Sequence, residues 1–338
     1  NLEQTREMGA GYSLVDFDIS PDVTLTLGGR YTLETIDGEG FGQHIYSDGV
    51  RALNNRSGVG LAHGENTIAE GRFTGTAAAK WRLSPHAMTY VSYGSGYKSG
   101  GFNGEVANNV THYQDEGLFG AETVDAYEIG FKGDLGDVLT FEAAAFYQDY
   151  SDPQARIFVA FPLPGGGSIT SNSLANLDAA IVQGAELSAL WRPLDGLEIG
   201  GSVTALDTEI EQGTDASGAA NAATFNCKPL PFASDLSATL HARQEWMLGG
   251  DMRLSFEAAA KYQSEYFLDA EGRNDRRQGP VTLVDAAARL RLSGGTELSV
   301  WGRNLTDEDY ALSGYGFIGY DTFHSMPATW GVSVRVER

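Results

Sequence analysis

The sequence is poor in several features that build most soluble folds. It has one cysteine, Cys227, which excludes an internal disulfide framework and any multi-cysteine metal site. No run of about 18 apolar residues occurs, so no membrane-crossing helix is encoded. Basic residues are few: Lys and Arg total 23 against 45 Asp and Glu, for a net charge of −22. Such a surface repels a phosphate backbone, which argues against a nucleic-acid partner, and the acidic surplus reads as solubility charge on loops. Proline is held to 10 residues while glycine reaches 43. The chain opens Asn1-Leu2-Glu3, with neither an initiator Met nor a charged-then-apolar leader. Two readings stay open, a removed signal peptide or an interior piece of a longer chain.

What is present is alternation. Between Glu122 and Asp149, Tyr127, Ile129 and Phe131 alternate with Glu128, Gly130 and Lys132. After a break at Leu135-Gly136-Asp137, Leu139, Phe141, Ala143, Ala145 and Tyr147 alternate with Thr140, Glu142, Ala144 and Gln148. Period two marks a strand with unlike faces, and so short a break makes the pair an antiparallel hairpin. The same unit recurs around Ser20-Pro21-Asp22, Ser84-Pro85-His86, Pro193-Leu194-Asp195-Gly196, Leu248-Gly249-Gly250-Asp251 and Ser293-Gly294-Gly295. Long polar stretches separate these units, the first from about Ile36 to Ala69. The strand from Val138 is expected to run on through Ile157 and Val159, because Phe161-Pro162-Leu163-Pro164-Gly165 is the first firm stop. The count is about 13 strands, with short and long connections taking turns.

The apolar faces are diluted with Ala and Gly, and the polar faces carry Arg, Lys, Glu and Thr. A sandwich core would need bulky interlocking residues on the inward face. A lipid-facing band needs only to be apolar, while the inside of a wide barrel holds water and charge. Tyr31, Trp81, Tyr127, Tyr147, Trp191, Tyr262 and Trp330 fall near strand ends and suit interfacial girdles. The fold class is therefore all-β, an antiparallel up-and-down transmembrane β-barrel with short periplasmic turns and long extracellular loops.

Three segments carry a family resemblance: VSYGSGYKSGGFNG at Val91 to Gly104, FGAETVDAYEIGFKGDL at Phe119 to Leu135, and VWGRNLTDEDY at Val300 to Tyr310. With QGAELSALWRPLDGLEIGGS at Gln183 to Ser202, they resemble the C-terminal barrel of TonB-dependent outer-membrane receptors over nearly the whole chain. The resemblance implies a barrel of about 22 strands around an N-terminal plug. It also implies an energy-coupling protein of the TonB type, acting through an N-terminal part, and a surround of outer-membrane lipid and lipopolysaccharide. Residues 1–338 are then expected to be the C-terminal portion of the barrel, with the plug absent and two unpaired edges. Such a piece alone is not expected to insert as a closed pore. Family barrels usually end on an aromatic residue, whereas this sequence ends Val336-Glu337-Arg338.

The expected function is energy-coupled uptake of a scarce bulky nutrient, first among them a ferric siderophore. Haem, cobalamin or glycan uptake, and a passive porin-like or structural barrel, are the alternatives. A secreted glycan-binding protein or hydrolase is a third, though no paired carboxylates at defensible spacing support hydrolysis. No catalytic residue, metal site or cofactor is assigned. Candidate ligand contacts are Tyr97, Lys98, Phe102, Asn103, Tyr113, Tyr315, Phe317, Tyr320 and His324 in the long loops. Aromatics there stack on flat chelates, and Lys attracts an anionic one. Gly314 to Gly319 matches a dinucleotide-binding pattern by letter, but without a strand-to-helix context it reads as a Gly-rich loop. Cys227 is read as a bystander, or as a partner for a cysteine elsewhere in a longer protein.

Overall fold

The computed structural model describes residues 2–42, 44–46, 49–51, 62–103, 118–162, 168–211, 225–315 and 321–336. Its organising element is one antiparallel sheet of 13 strands, each bonded to its neighbours in the chain. In order these are Leu2–Ser20, Val23–Gly42, Ala62–Ser84, Ala87–Lys98, Glu122–Asp134, Leu139–Ser151 and Ala179–Leu194. Leu197–Glu211, Leu236–Gly249, Met252–Gln263, Val281–Arg291, Thr296–Arg303 and Thr329–Val336 complete it. The hairpins close at the turns read from the sequence. Among the described residues the sheet is open, because the first and last strands pair on one side only.

Register decides which side chains share a face. Leu27 is opposite Ala77, Ala77 opposite Tyr93, Tyr93 opposite Tyr127, and Tyr127 opposite Tyr147. Further along, Leu187 faces Val203, Leu240 faces Ala260, and Val300 faces Val332. Among the described residues this outward row stays uncovered: Leu240 is 57 % exposed, Val300 56 % and Trp330 80 %. The rows between hold Lys132 opposite Glu142, Arg243 opposite Glu257 and Arg253 opposite Arg291. A soluble sandwich would place these faces the other way round. All seven expected girdle aromatics fall on the outward row by register. Tyr93–Tyr127 and Trp246–Phe256 ring pairs lie on the same row with centroids 5.2 and 5.6 Å apart.

Two elements differ from the sequence reading. Val23–Gly42 and Ala62–Ser84 are 20 and 23 residues long and remain paired out to Gly42 and Ala62. Crossing a bilayer takes about 9–11 residues, so this pair extends far beyond it. The stretch expected to be a loop from Ile36 keeps its backbone ladder after the apolar alternation ends. The strand expected to continue through Ile157 and Val159 instead stops at Ser151. Asp152 takes a left-handed φ of 55° and Pro153 lacks an N–H, so the ladder cannot pass. Gln154–Pro162 then pairs with Ser168–Asn176 in a separate two-stranded ribbon. Smaller ribbons occupy four other long connections, including Ala311–Tyr315 with Asp321–His324; of the dinucleotide-like pattern only Gly314 and Tyr315 fall among the described residues.

The core does not lie between two layers. The buried apolar residues are Ile36, Phe102, Ala121, Leu177, Ala180, Ile210, Phe225, Tyr266, Leu268, Ala270, Val281 and Ala311. Each belongs to a long connection or to the strand end that meets one. The loops have folded over the inner row at one rim and bury it there.

Candidate functional site: the long-loop mouth

On Val23–Gly42 the inner row reads Thr32, Glu34, Ile36 and Gly38, and all four are buried. They are covered by the segment Ser99–Asn103, which leaves the strand Ala87–Lys98 and turns inward. Phe102, 5 % exposed, packs on Ile36 with Ile68 beside it. Gly38 is required beneath it, since a Cβ there would lie 2.5 Å from the ring. Gly100 is required for a similar reason, because its Cβ would meet the Phe119 carbonyl oxygen at 2.5 Å. Ser99 Oγ donates to Glu34 at 2.6 Å, and Arg6 pairs with the same carboxylate while donating to Ser99 at 2.9 Å. Burying a carboxylate requires such partners.

A second cluster covers the inner row further round. Leu177, Ile210, Phe225 and Ala270 pack together, joined by Ala155 and Ala175 from one connection and Leu230 from the next. A third joins Tyr266, Leu268 and Ala311. Burial pushes the Tyr266 phenol above its ordinary range, with a smaller push from Tyr310. Beside these, Arg276 pairs with Asp269 at 2.7 Å and Glu271 at 3.2 Å. Exposed Cys227 lies next to Glu209, whose carboxylate holds the thiol above its usual range.

The expected ligand contacts divide by register and burial. Lys98 is exposed on the inner row at the mouth, opposite Glu122. Tyr97 falls on the outward row with Val91 and Tyr93, so the strand turns it toward the girdle side. Phe102 and Asn103 are buried in the loop layer. His324 is exposed with both ring nitrogens engaged, by Asp309 at 2.6 Å and Thr322 at 2.8 Å. Tyr315 ends the ribbon strand Ala311–Tyr315. Tyr113, Phe317 and Tyr320 lie outside the described residues. Sequence reasoning missed Glu34, Ser99, Gln154 and Asn176, which hold the mouth together. The available signal was Ile36 standing on an otherwise polar row beside Glu34.

Below the mouth the inner wall is charged and paired. Lys132 meets Glu142 at 3.1 Å, Arg192 meets Glu198 at 3.0 Å, and Glu257 lies between Arg289 and Arg243. Beside this last group a recess of about 420 Å³ is lined by His241, Arg243, Glu257, Asp285, Arg289 and Trp301, among others. These pairs are partly exposed, so each contributes little to stability and the wall stays wettable.

A sheet with an apolar outside rich in aromatics, a polar inside and loops folded into one mouth defines the wall of an outer-membrane β-barrel. Residues 2–305 match the family described as TonB dependent receptor-like, beta-barrel, and the chain belongs to that family. It is 25 % identical over 249 residues to the pesticin receptor of Yersinia pestis, covering 71 % of this chain and 32 % of that protein. The ferric yersiniabactin uptake receptor of Yersinia pestis superposes with a TM-score of 0.77 at 18 % identity, covering 99 % of this chain and 46 % of that one. A siderophore receptor of Acinetobacter baumannii does so at 0.73 and 18 % identity, covering 98 % and 43 %. The chain thus spans about a third of the curated relative and under half of each solved one. The family consists of transport receptors of the Gram-negative outer membrane, not enzymes. The outward row is accordingly the lipid face, and the long loops are extracellular.

Proposed function

We propose that this chain is the C-terminal part of the barrel of an energy-coupled receptor, and that the whole receptor takes up a bulky iron chelate, a ferric siderophore. The observation that carries the reading is the mouth itself. Loops from several connections fold inward and are bonded to one another over a polar wall, which suits capture of one large ligand better than free passage of small ones. The names of the relatives, a pesticin receptor and two siderophore receptors, support the chelate class. The open sheet edges support further strands outside this chain, because unpaired backbone in lipid costs several kcal/mol per group, on the order of 2–7. On this reading a plug-type domain and the contact with a TonB-type protein also lie outside it.

The test is uptake of labelled ferric chelates by cells carrying the full-length gene or its deletion, with and without an uncoupler, after growth with and without iron. The expected result is uptake that is lost on deletion, abolished by the uncoupler and induced by iron starvation. Uptake that persists with the uncoupler supports a passive pore instead, and expression indifferent to iron counts against the siderophore.

A further inference from the structure

A two-stranded ribbon leaves unpaired peptide groups along both outer edges. In the ribbon Gln154–Pro162 with Ser168–Asn176, Leu174 pairs with Arg156 on one side. On the other side the Asn103 side chain takes the place of a neighbouring strand. Its Nδ2 donates to the Leu174 carbonyl at 2.7 Å, and its Oδ1 accepts from the Leu174 N–H at 2.8 Å. A carboxamide has the donor and acceptor of a peptide group at the same spacing, so it completes the ladder. Asn103 is 8 % exposed, so water does not readily substitute for it.

The ribbon is fastened to the same strip at its base. Gln154 Nε2 donates to the carbonyls of Ser99 and Gly120 at 2.8 and 3.0 Å. Asn176 accepts from Gly120 N–H at 2.6 Å and donates to the Asp152 carbonyl at 2.7 Å. The strip Ser99–Asn103 is in turn held to the inner wall through Glu34 and Arg6, and it begins one residue after Lys98. The side-chain amides of Asn103, Gln154 and Asn176 fasten the ribbon by neutral hydrogen bonds between segments far apart in sequence, unlike the apolar seating of Phe102. Ordinary hydrogen bonds of this kind open at a modest cost, which a bound ligand offsets.

We propose that Asn103 is a positioning residue for ligand capture, holding the base of this ribbon to the strip that follows Lys98 so that ribbon and wall meet one ligand as a unit. The proposal rests on the uptake reading given above. Its test compares Asn103→Ala and Asn103→Asp with wild type in the full-length receptor in outer membranes. Hydrogen exchange at the Leu174 amide should rise about tenfold in Asn103→Ala, as expected for loss of two buried hydrogen bonds, and at least as much in Asn103→Asp, which sets a buried carboxylate oxygen against the Leu174 carbonyl. Amides of the strand Leu139–Ser151 should not change. The KM for uptake of a ferric siderophore that wild-type cells use should rise in the same order, with the maximal rate per surface receptor unchanged. Unaltered exchange at Leu174 overturns the proposal, and so does raised exchange with an unaltered KM. If wild-type cells take up no ferric chelate, the iron reading falls and the exchange comparison alone decides the latch.

Discussion

The Phe102 ring lies against Gly38, with room for a hydrogen atom and no more on the strand beneath it. This contact joins a loop to the inner face of a strand distant in sequence, and it fixes how far the segment Ser99–Asn103 reaches into the mouth. Gly38→Ala forces the ring or the strand to move, at an expected cost of about 1–3 kcal/mol. Faster hydrogen exchange across 99–103, with barrel strands unaffected, is the expected result. Wild-type protection there would mean that the ring relocates freely.

Two adjacent alanines test which face meets lipid. Ala258 lies on the outward row opposite Ala242 and Ala286, whereas Ala259 lies on the inner row opposite Asp285. Ala258→Arg should destabilise the full-length receptor in bilayers by about 2–4 kcal/mol if it sits near the midplane. Ala259→Arg should cost little, since its charge meets water and a carboxylate. Denaturant unfolding in bilayers separates the two, and the reverse order would invert the assignment of faces.

Asn304 explains the NLTDEDY run. At φ 49° it donates to the carbonyls of Glu308 and Met326 at 2.9 and 3.1 Å, and accepts from the Glu308 N–H at 3.0 Å. Asn304→Ala loses these bonds, and with them the local side-chain contacts that make the left-handed conformation tolerable for Asn, for a cost of about 1–3 kcal/mol. Asn304→Gly should recover the backbone part only. Protease cleavage between residues 304 and 328 on intact cells should rank alanine above glycine above wild type.

Cys227 should react slowly for an exposed thiol. The nearby Glu209 carboxylate stabilises the protonated form, so at a given pH less thiolate is present than for an unperturbed cysteine. Alkylation rates followed from pH 7 to 10 should show a midpoint above the ordinary thiol value. Glu209→Gln should lower that midpoint and speed the reaction near neutral pH. An unchanged midpoint in the variant would remove Glu209 as the cause.

The sequence carried the strands because lipid and lumen impose opposite demands on alternate residues. Tyr127 and Ile129 against Glu128 and Lys132 announce both the strand and its two faces, and Pro21, Pro85 and Gly196 mark where it turns back. Where lipid stops imposing that demand, the signal stops as well. The ladder from Ile36 to Gly42 continues through its paired backbone after the alternation of apolar and polar residues has ended, so the stretch reads as loop.

Amino-acid order by itself determined the number of strands, their short turns, the lipid-facing row and the receptor family. Tertiary structure decided the mouth: that Glu34 and Ile36 are buried, that Phe102 seats on Gly38, and that Asn103 bonds Leu174 rather than standing free. Each of these depends on segments dozens of residues apart arriving at one place. Local periodicity records the solvent on either side of a strand, and it holds no record of which loop will come to lie upon it.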